Sequence, residues 1–276
     1  MAENKLLLEN VELAYKEKNT AGQQTILCLH ALGHSSKDYS KMFEDDRFNE
    51  YRIIALDFPG HGNSADGKET VSSAYYARLT EKLIDQLQLK NIVVLGNSIG
   101  GAVAIRLASN KKNNITSIQL ANPAGLDKGG LLPKFFLPFM VFFFKKGQQK
   151  HPKFQKWFKY YYQKVLPSAE AIDRRNEIIG QAYQLAPILV EGWKSFALPS
   201  EDIKKLIPEI DCPVLVTWAM KDKKVQYSRN IGAVNKIKQL DLVKYKIGHT
   251  PILENPKQFL NDLFEFLATK KVAFQA

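Results

Sequence analysis

Cysteine is scarce in this chain of 276 residues, which contains only Cys28 and Cys212. Each lies in a short apolar run, TILCLH or DCPVLVTW, so we expect two buried, reduced thiols and no disulfide. Neither cysteine has another metal-binding residue at the spacing of a zinc site. The sequence therefore predicts a protein that works without a metal or an organic cofactor.

Long apolar runs are missing as well. The first residues, MAENKLLLEN, lack the basic and then apolar order of a secretory signal, and we expect a cytoplasmic protein. The most apolar segment, residues 131–144 (LLPKFFLPFMVFFF), is shorter than the roughly 20 residues that span a bilayer and contains Lys134 and two prolines. Two interpretations of this segment stay open: a helix packed over one end of a sheet, or an element that lies on a membrane surface.

Acidic residues are absent from residues 128–169, although the whole chain contains 28 of them. The same segment is rich in aromatic residues and carries nine lysines, which contribute most of the formal net charge of +11 (Lys128, Lys134, Lys145, Lys146, Lys150, Lys153, Lys156, Lys159 and Lys164). This composition suits contact with an anionic membrane surface, but it could also serve only to keep the protein soluble. No nucleic-acid motif accompanies the charge, so we expect no nucleic-acid partner.

Strand patterns alternate with helix patterns over most of the chain. The predicted strands are Val11–Tyr15, Thr25–His30, Tyr51–Leu56, Asn91–Leu95, Ile115–Leu120, Pro213–Trp218 and Leu242–Ile247. The predicted helices are Val71–Leu89, Ile99–Ser109, Tyr227–Lys238 and Pro256–Thr269. Several strands are continuously apolar, which is typical of strands buried on both faces. The alternation predicts an open, mostly parallel sheet with helices on both faces.

Residues 124–210 break this alternation, because they contain no clear strand pattern. Prolines are expected to divide the segment into several short helices (Pro133, Pro138, Pro152, Pro167, Pro187, Pro199 and Pro208). One helix face is predicted from the spacing of Phe154, Trp157, Phe158, Tyr161, Tyr162 and Val165. The sequence thus predicts an α/β fold, with a core of residues 1–123 and 211–276 and a helical cap of residues 124–210.

The strongest chemical signal is Gly96-Asn97-Ser98-Ile99-Gly100, which lies between a predicted strand and a predicted helix. A serine on such a sharp turn projects from the backbone, and the flanking glycines allow the close approach that the turn requires. The N-terminus of the following helix favours negative charge that develops beside the serine. This motif predicts a nucleophilic serine.

Five segments in this order resemble the motifs of capped α/β-hydrolases, and the resemblance covers nearly the whole chain. They are His30–His34, Asp57–Ser64, Gly96–Gly100, Trp218–Asp222 and Gly248–Pro251. The resemblance implies Ser98 as the nucleophile, His249 as the general base and Asp222 as the acid that orients it. Asp127 is the alternative acid, since some members of the family carry it after the preceding strand.

The resemblance also implies an oxyanion hole formed by the backbone N–H groups of Leu32 and Ile99. The family usually has His-Gly where this chain has His30-Ala31, so we expect the loop around Leu32 to differ in shape. The remaining histidines have other expected positions: His30 and His34 flank this loop, His61 is structural, and His151 lies in solvent.

A serine at this position points to acyl transfer, and we expect hydrolysis of an ester of a hydrophobic small molecule or lipid. Two alternatives stay open. The elbow also resembles that of carbon–carbon bond hydrolases of ring-fission diketones, whose cap arginine could correspond only to Arg174 or Arg175. The second alternative is a non-catalytic binding protein on the same fold. The phenylalanine-rich cap predicts an apolar pocket, and the sequence predicts no oligomeric state.

Overall fold

The centre of the fold is one eight-stranded sheet, and the computed structural model describes residues 2–127 and 131–274. The strands are β1 (Ala2–Leu8), β2 (Val11–Lys18), β3 (Thr25–Leu29), β4 (Arg52–Leu56), β5 (Ile92–Asn97), β6 (Ile115–Ala121), β7 (Val214–Ala219) and β8 (Leu240–Tyr245). The α-helices are α1 (Ser40–Glu44), α2 (Ser73–Gln86), α3 (Ile99–Ser109), α4 (Leu131–Gln148), α5 (Phe154–Val165), α6 (Ile172–Gly180), α7 (Ala182–Ser195), α8 (Tyr227–Val234), α9 (Pro251–Glu254) and α10 (Pro256–Phe274).

The strands lie in the order β1-β2-β4-β3-β5-β6-β7-β8. Strand β2 pairs antiparallel with β1 and β4, and all other neighbouring strands pair in parallel. Every residue of β3, β5 and β7 is buried, as continuous apolar runs predict for strands that are covered on both faces. The predicted α/β class with a mostly parallel sheet is confirmed.

Side chains of β3 alternate between two hydrophobic layers on opposite faces of the sheet. Leu27 and Leu29 belong to a layer that includes residues of α2 and α3. Ile26 and Cys28 belong to a second layer that includes residues of α1 and α10. Both cysteines are free thiols; Cys28 is buried as predicted, whereas Cys212 is only partly buried. Burial raises the thiol pKa of both, that of Cys212 to about 11.

Strand β1 was not predicted by the sequence patterns. It lies at the edge of the sheet and most of its side chains are exposed, so its sequence needs little apolar alternation. Backbone hydrogen bonds to β2 specify this strand, and they leave no pattern in its side chains. The other predicted strands are present, with ends that differ by a few residues.

Helices α4 to α7 lie between β6 and β7, within the segment predicted as a cap, and they bury a hydrophobic cluster of their own. Phe144, Phe154 and Phe158 are fully buried in this cluster. The predicted apolar face of α5 is present, but Trp157 does not belong to it: it is 39% exposed, and its ring stacks on His151 with centroids 4.9 Å apart.

The prediction that prolines divide this segment was wrong for two of them. Pro138 lies inside α4 and Pro187 lies inside α7. A proline in a helix removes one backbone hydrogen bond. Helices α4 and α7 pack against each other through the buried cluster, and this burial offsets the loss.

Within the described ranges, none of the helices combines the length and apolar content needed to cross a bilayer.

Candidate active site

Four polar residues follow the carboxyl ends of four neighbouring parallel strands. Ser98 follows β5, Asn122 follows β6, Asp222 lies just beyond β7, and His249 lies in the loop after β8. Parallel strands bring their carboxyl ends to the same edge of a sheet, where ligands bind in open α/β folds. The topology therefore assembles these side chains from distant parts of the sequence.

Ser98 occupies a strained turn between β5 and α3. Its backbone has φ +54° and ψ −113°, a conformation that residues other than glycine rarely adopt. The turn is held by two backbone hydrogen bonds, from Ser98 N to Ala121 O (2.9 Å) and from Ala124 N to Ser98 O (3.0 Å).

The two glycines of the motif permit this turn for steric reasons. A Cβ atom on Gly96 would lie 2.3 Å from the carbonyl oxygen of Gly100, and one on Gly100 would lie 2.2 Å from that of Leu29. Any side chain at either position would therefore collide with backbone. The sequence motif is explained by this packing of the turn against β3 and the start of α3.

His249 and Asp222 form a short, buried hydrogen bond, with 2.6 Å between Nδ1 and Oδ2. The other carboxylate oxygen of Asp222 accepts the backbone N–H groups of Lys224 (2.8 Å) and Val225 (3.1 Å). Burial alone would raise the pKa of Asp222, but His249 and these hydrogen bonds outweigh it and the pKa is lowered. Asp222 is therefore an anion that fixes the orientation of the His249 ring.

Ser98 and His249 line one cavity beneath the cap helices. Among the residues that the structure describes, no hydrogen bond joins the Ser98 hydroxyl to the His249 ring. Such contacts are commonly long in enzymes without substrate and shorten when substrate binds. The structure thus places a serine hydroxyl and an oriented imidazole in the same cavity.

Asn122 is a site residue that the sequence analysis missed. Its amide nitrogen donates to Asp222 Oδ2 (2.8 Å), and its side-chain oxygen accepts the N–H of Ala219 (2.8 Å). Its own backbone has φ +43°, a conformation that asparagine tolerates better than most residues. The sequence feature that could have indicated Asn122 is its position directly after the buried strand β6. Asn122 holds the acid loop against the neighbouring strand end.

Glu254 supports the histidine loop from below. Its buried carboxylate accepts the backbone N–H groups of Gly248 (3.1 Å), His249 (2.7 Å) and Thr250 (3.1 Å). It also accepts the hydroxyl of Ser168 at 2.9 Å. Three amides on one carboxylate fix the backbone on both sides of His249, a role that the sequence patterns did not indicate for Glu254.

The loop after β3 supplies the first predicted oxyanion donor. Among the described residues, neither Leu32 N–H nor Ile99 N–H donates a hydrogen bond to another protein group. The positive φ of this loop falls on Gly33 (+77°) and not on Ala31, so the alanine fits without strain. Gly33 N–H is anchored by His61 Nε2 at 3.0 Å. The two amides are thus available to an oxygen atom beside Ser98.

A sequence model of the α/β-hydrolase fold matches residues 24–256, a range that includes Ser98, Asn122, Asp222, His249 and Glu254. The chain belongs to the α/β-hydrolase family.

Relatives that match this α/β-hydrolase over most of its length are named for several different activities. Lipase 3 of Moraxella sp. is 24% identical over 268 residues, covering 92% of this chain and 81% of that protein. The 2-hydroxy-6-oxononadienedioate/2-hydroxy-6-oxononatrienedioate hydrolase of Pseudomonas sp is 22% identical over 255 residues, covering 90% and 89%. Among solved structures, an esterase from Exiguobacterium antarcticum superposes with a TM-score of 0.80 at 17% identity, covering 97% of this chain and all of that one. Structural likeness at this identity shows the shared fold.

Two further histidines of the hydrolase have structural contacts. His30 Nε2 accepts the N–H of Phe58 (3.0 Å), and its Nδ1 lies 2.7 Å from Ala31 O. Burial lowers the pKa of His30 well below its usual value and that of His61 to about 4. Both rings are therefore neutral near pH 7 and act as hydrogen-bonding parts of the loops.

His34 takes part in a link between cap and core. Its Nδ1 lies 2.7 Å from Asp38 Oδ2, and Asp38 Oδ1 accepts a hydrogen bond from Arg174 of α6 at 2.8 Å. Burial would raise the pKa of Asp38, but His34 and Arg174 hold it well below its usual range. Arg174 is thus committed to this buried contact. Arg175 donates to Leu166 O (2.6 Å), and neither arginine lines the cavity.

The cavity has a volume of about 520 Å³ and a divided lining. The apolar side includes Leu32, Phe136, Leu137, Tyr161, Tyr162, Val165, Leu189, Trp193, Phe196 and Leu198. The polar part of the lining, here called the charged side, includes Asp127, Glu201, Asp202, Lys204, Lys223, Lys224, Gln226, Arg229 and Asn230. The expectation of an apolar pocket holds for only part of the lining, because residues 201–204 and the loops after β6 and β7 contribute charged groups.

Asp127, the alternative acid, lies on this charged side. Its carboxylate accepts two hydrogen bonds from Arg229, with Nε–Oδ2 and Nη2–Oδ1 distances of 2.5 and 2.8 Å. The Nδ1 atom of His249 is occupied by Asp222. The geometry therefore pairs the histidine with Asp222.

We predict that Glu254→Gln lowers the free energy of unfolding by about 1–3 kcal/mol, because an amide NH₂ would face backbone donors in a buried site. Urea denaturation of the two proteins measures the difference. The matched control is Glu209→Gln, an exposed position, which should change stability by less than about 0.5 kcal/mol. Equal losses in both variants, or none in either, would contradict the role given to Glu254.

Proposed function

We propose that this α/β-hydrolase is a serine esterase that acts on hydrophobic esters through Ser98, His249 and Asp222. The observation that carries the proposal is the buried His249–Asp222 hydrogen bond of 2.6 Å, whose imidazole shares a cavity with Ser98 on its strained turn. A neutral serine hydroxyl is a weak nucleophile and requires a base that is held in place.

In the proposed first step, the Ser98 oxygen attacks the ester carbonyl carbon while His249 Nε2 accepts the hydroxyl proton. The carbonyl oxygen becomes negatively charged and accepts hydrogen bonds from Leu32 N–H and Ile99 N–H. The ester C–O bond then breaks, His249 returns the proton to the leaving alcohol, and the acyl group stays on Ser98.

In the second step, water attacks the acyl-enzyme and His249 accepts its proton. The bond between the acyl carbon and Ser98 breaks, the proton passes to the serine oxygen, and the carboxylic acid is released. Asp222 stays ionised throughout, since its role is to orient and stabilise the imidazolium. No metal or organic cofactor is needed for either step.

The apolar side of the cavity supports a hydrophobic acyl or aryl group. Phe136, Leu137 and Trp193 contribute carbon surface there, and about 520 Å³ is within the range of pockets that bury small organic molecules. Burial of each methylene group of a substrate contributes about 0.8 kcal/mol. We therefore propose medium-length esters as better substrates than acetates.

Two alternatives receive less support. A carbon–carbon bond hydrolase has a relative of 22% identity in its favour, but both candidate cap arginines hydrogen-bond to other groups and neither lines the cavity. A non-catalytic binding protein would not require the buried acid, the oriented histidine and the two available amides together.

The first test is a panel of p-nitrophenyl esters of rising acyl length, run beside one ring-fission diketone. Medium-length esters should be turned over in the presence of EDTA, and Ser98→Ala should lower kcat by about 10⁴–10⁶-fold with the fold intact by circular dichroism. Turnover of the diketone with only slow ester hydrolysis would favour the carbon–carbon alternative. Unchanged hydrolysis by Ser98→Ala would refute the proposed nucleophile.

The second prediction separates the two candidate acids. Asp222→Asn should lower kcat by about 10⁴-fold, because the imidazole loses its orienting anion. Asp127→Asn should keep kcat within about tenfold, since Asp127 pairs with Arg229. Steady-state kinetics on the best ester of the panel measures both. The assignment fails if Asp127→Asn is the inactive variant and Asp222→Asn retains most activity.

A further inference from the structure

Lys224 differs from the other basic residues on the charged side of the cavity, among which Lys223 is exposed to solvent. The Lys204 Nζ atom lies 3.0 Å from Asp202 Oδ2, and Arg229 binds the carboxylate of Asp127. Within residues 2–127 and 131–274, the Lys224 ammonium has neither a hydrogen bond nor a carboxylate within 4 Å. It lies 4.9 Å from the centre of the Tyr161 ring, a cation–π contact with the cap.

The backbone fixes Lys224 beside the reacting groups. Its N–H donates to Asp222 Oδ1 at 2.8 Å, so its Cα is held next to the acid of the site. The charged groups that act on its ammonium are Asp222 after β7 and Glu254 of α9, both already bound to other donors. A partly buried cation without a direct counter-ion is in an unfavourable environment, which a bound anion would improve.

We propose that Lys224 binds a carboxylate on the substrate, so that the preferred esters carry an anionic group as well as an apolar part. This inference rests on the proposed esterase function. The divided lining agrees with it, since an amphiphilic ester would place its hydrocarbon against the cap and its carboxylate against the loop after β7.

The test compares two pairs of p-nitrophenyl esters. In one pair the acyl chains have equal length and end in methyl or carboxylate; in the other, the same two groups are carried on the aryl leaving group. In at least one pair, the wild type should prefer the anionic member by about tenfold in kcat/KM, the effect of one charge-assisted hydrogen bond. Lys224→Met should abolish that ratio, and Lys224→Arg should restore part of it.

The pH dependence of the ratio distinguishes binding from a structural role. Burial lowers the pKa of Lys224 to about 8, despite the opposing effects of Asp222 and Glu254. The ammonium is charged below this pH and neutral above it, so the anionic preference should be full at pH 6.5 and decline as the pH rises through about 8. Lys221→Met, at an exposed position that does not line the cavity, is the control and should keep both the ratio and its pH dependence.

Calorimetric titration of hexanoate into Ser98→Ala protein tests the same site without turnover. Binding that is lost in the Ser98→Ala, Lys224→Met double variant supports the proposal even if no tested ester is hydrolysed. The proposal is overturned if neither ester pair shows a preference and hexanoate binds equally with and without Lys224. Hydrolysis that requires Ser98 but shows no such preference would leave the esterase function standing.

A second observation concerns the outer face of α4. Phe135, Phe139 and Phe142 are 75, 61 and 58% exposed. Their spacing of four and three residues places them along one side of the helix, here called the outer α4 stripe. Exposing a row of phenylalanines to water is unfavourable in free energy. Such a row marks a site of contact with an apolar partner.

The other side of α4 forms part of the cavity wall. Phe136 and Leu137 line the cavity that contains Ser98, and Phe144 is fully buried in the cap. One helix, about 10 Å in diameter, therefore separates the outer α4 stripe from the proposed reaction site. A lipid surface bound at the outer α4 stripe would therefore lie one helix away from the cavity.

The charge around the outer α4 stripe identifies the kind of surface. Lys145 is exposed at the end of the helix, and the Lys146 ammonium lies 4.9 Å from the Phe142 ring. On α5, the Lys164 ammonium lies 5.3 Å from the ring of Tyr160, which is 65% exposed. No acidic residue occurs from 128 to 169. Phenylalanines that insert between lipids, with lysines that reach phosphate groups, complement an anionic membrane.

We propose that the outer α4 stripe docks on an anionic lipid surface. Co-sedimentation with phosphatidylglycerol-containing vesicles should show binding, whereas phosphatidylcholine vesicles should bind weakly, and high salt should release the protein. Lys145→Gln, Lys146→Gln and Lys150→Gln together should weaken binding about a hundredfold, since each lysine contributes a factor of roughly five. Phe135→Ser, Phe139→Ser and Phe142→Ser together should also abolish sedimentation.

The matched control removes three exposed lysines from the hydrolase core, Lys82→Gln, Lys90→Gln and Lys236→Gln, and has the same net charge as the first triple variant. It should bind vesicles almost as well as the wild type. Equal binding to both vesicle types, binding to neither, or equal losses in both lysine variants would overturn the proposal. A dimer that the phenylalanine variant converts to a monomer would instead assign the stripe to a second copy of the chain.

Discussion

The site depends on a backbone conformation that most residues avoid. Ser98 is held at φ +54° between the end of β5 and the start of α3, and two glycines make room for backbone atoms only 2–3 Å from where their side chains would begin. The hydrogen bonds to Ala121 and Ala124 maintain this strain. Without it, the serine side chain would not project from the sheet edge.

Buried carboxylates organise the surroundings of that turn. Asp222 orients His249, Glu254 holds the backbone of the histidine loop, and Asp38 connects the cap arginine to the loop after β3. Each accepts several hydrogen bonds, which is how a protein keeps an anion away from water. Two of these carboxylates also contact cap groups, Ser168 and Arg174, so the cap and the site share one network.

Much of the fold could be predicted from periodicity. The local sequence is enough to predict a buried strand from an apolar run such as TILCL, and a sharp turn from the glycine-serine motif. Strand β1 could not be found this way, since an exposed edge strand is specified by its pairing partner. Pro138 and Pro187 were misjudged because packing between two cap helices outweighs a local rule. The divided cavity depends on which loops meet after folding, and no single segment contains that information.

The candidate site shows the same division. Family motifs indicated Ser98, Asp222 and His249, and the structure places the last two in contact and the first in the same cavity. Asn122 was missed because its importance comes from a hydrogen bond to a residue a hundred positions away. The contact of Lys224 with the Tyr161 ring likewise arises from the approach of α5 to the loop after β7.

Ser98 is the activated nucleophile in the proposed mechanism, and covalent labelling tests this role most directly. A fluorophosphonate probe should modify the protein once, and peptide mapping by mass spectrometry should place the adduct on Ser98. Asp222→Asn should label far more slowly, because the same imidazole must accept the serine proton. An adduct on another residue, or full ester hydrolysis by protein that the probe does not label, would contradict the account.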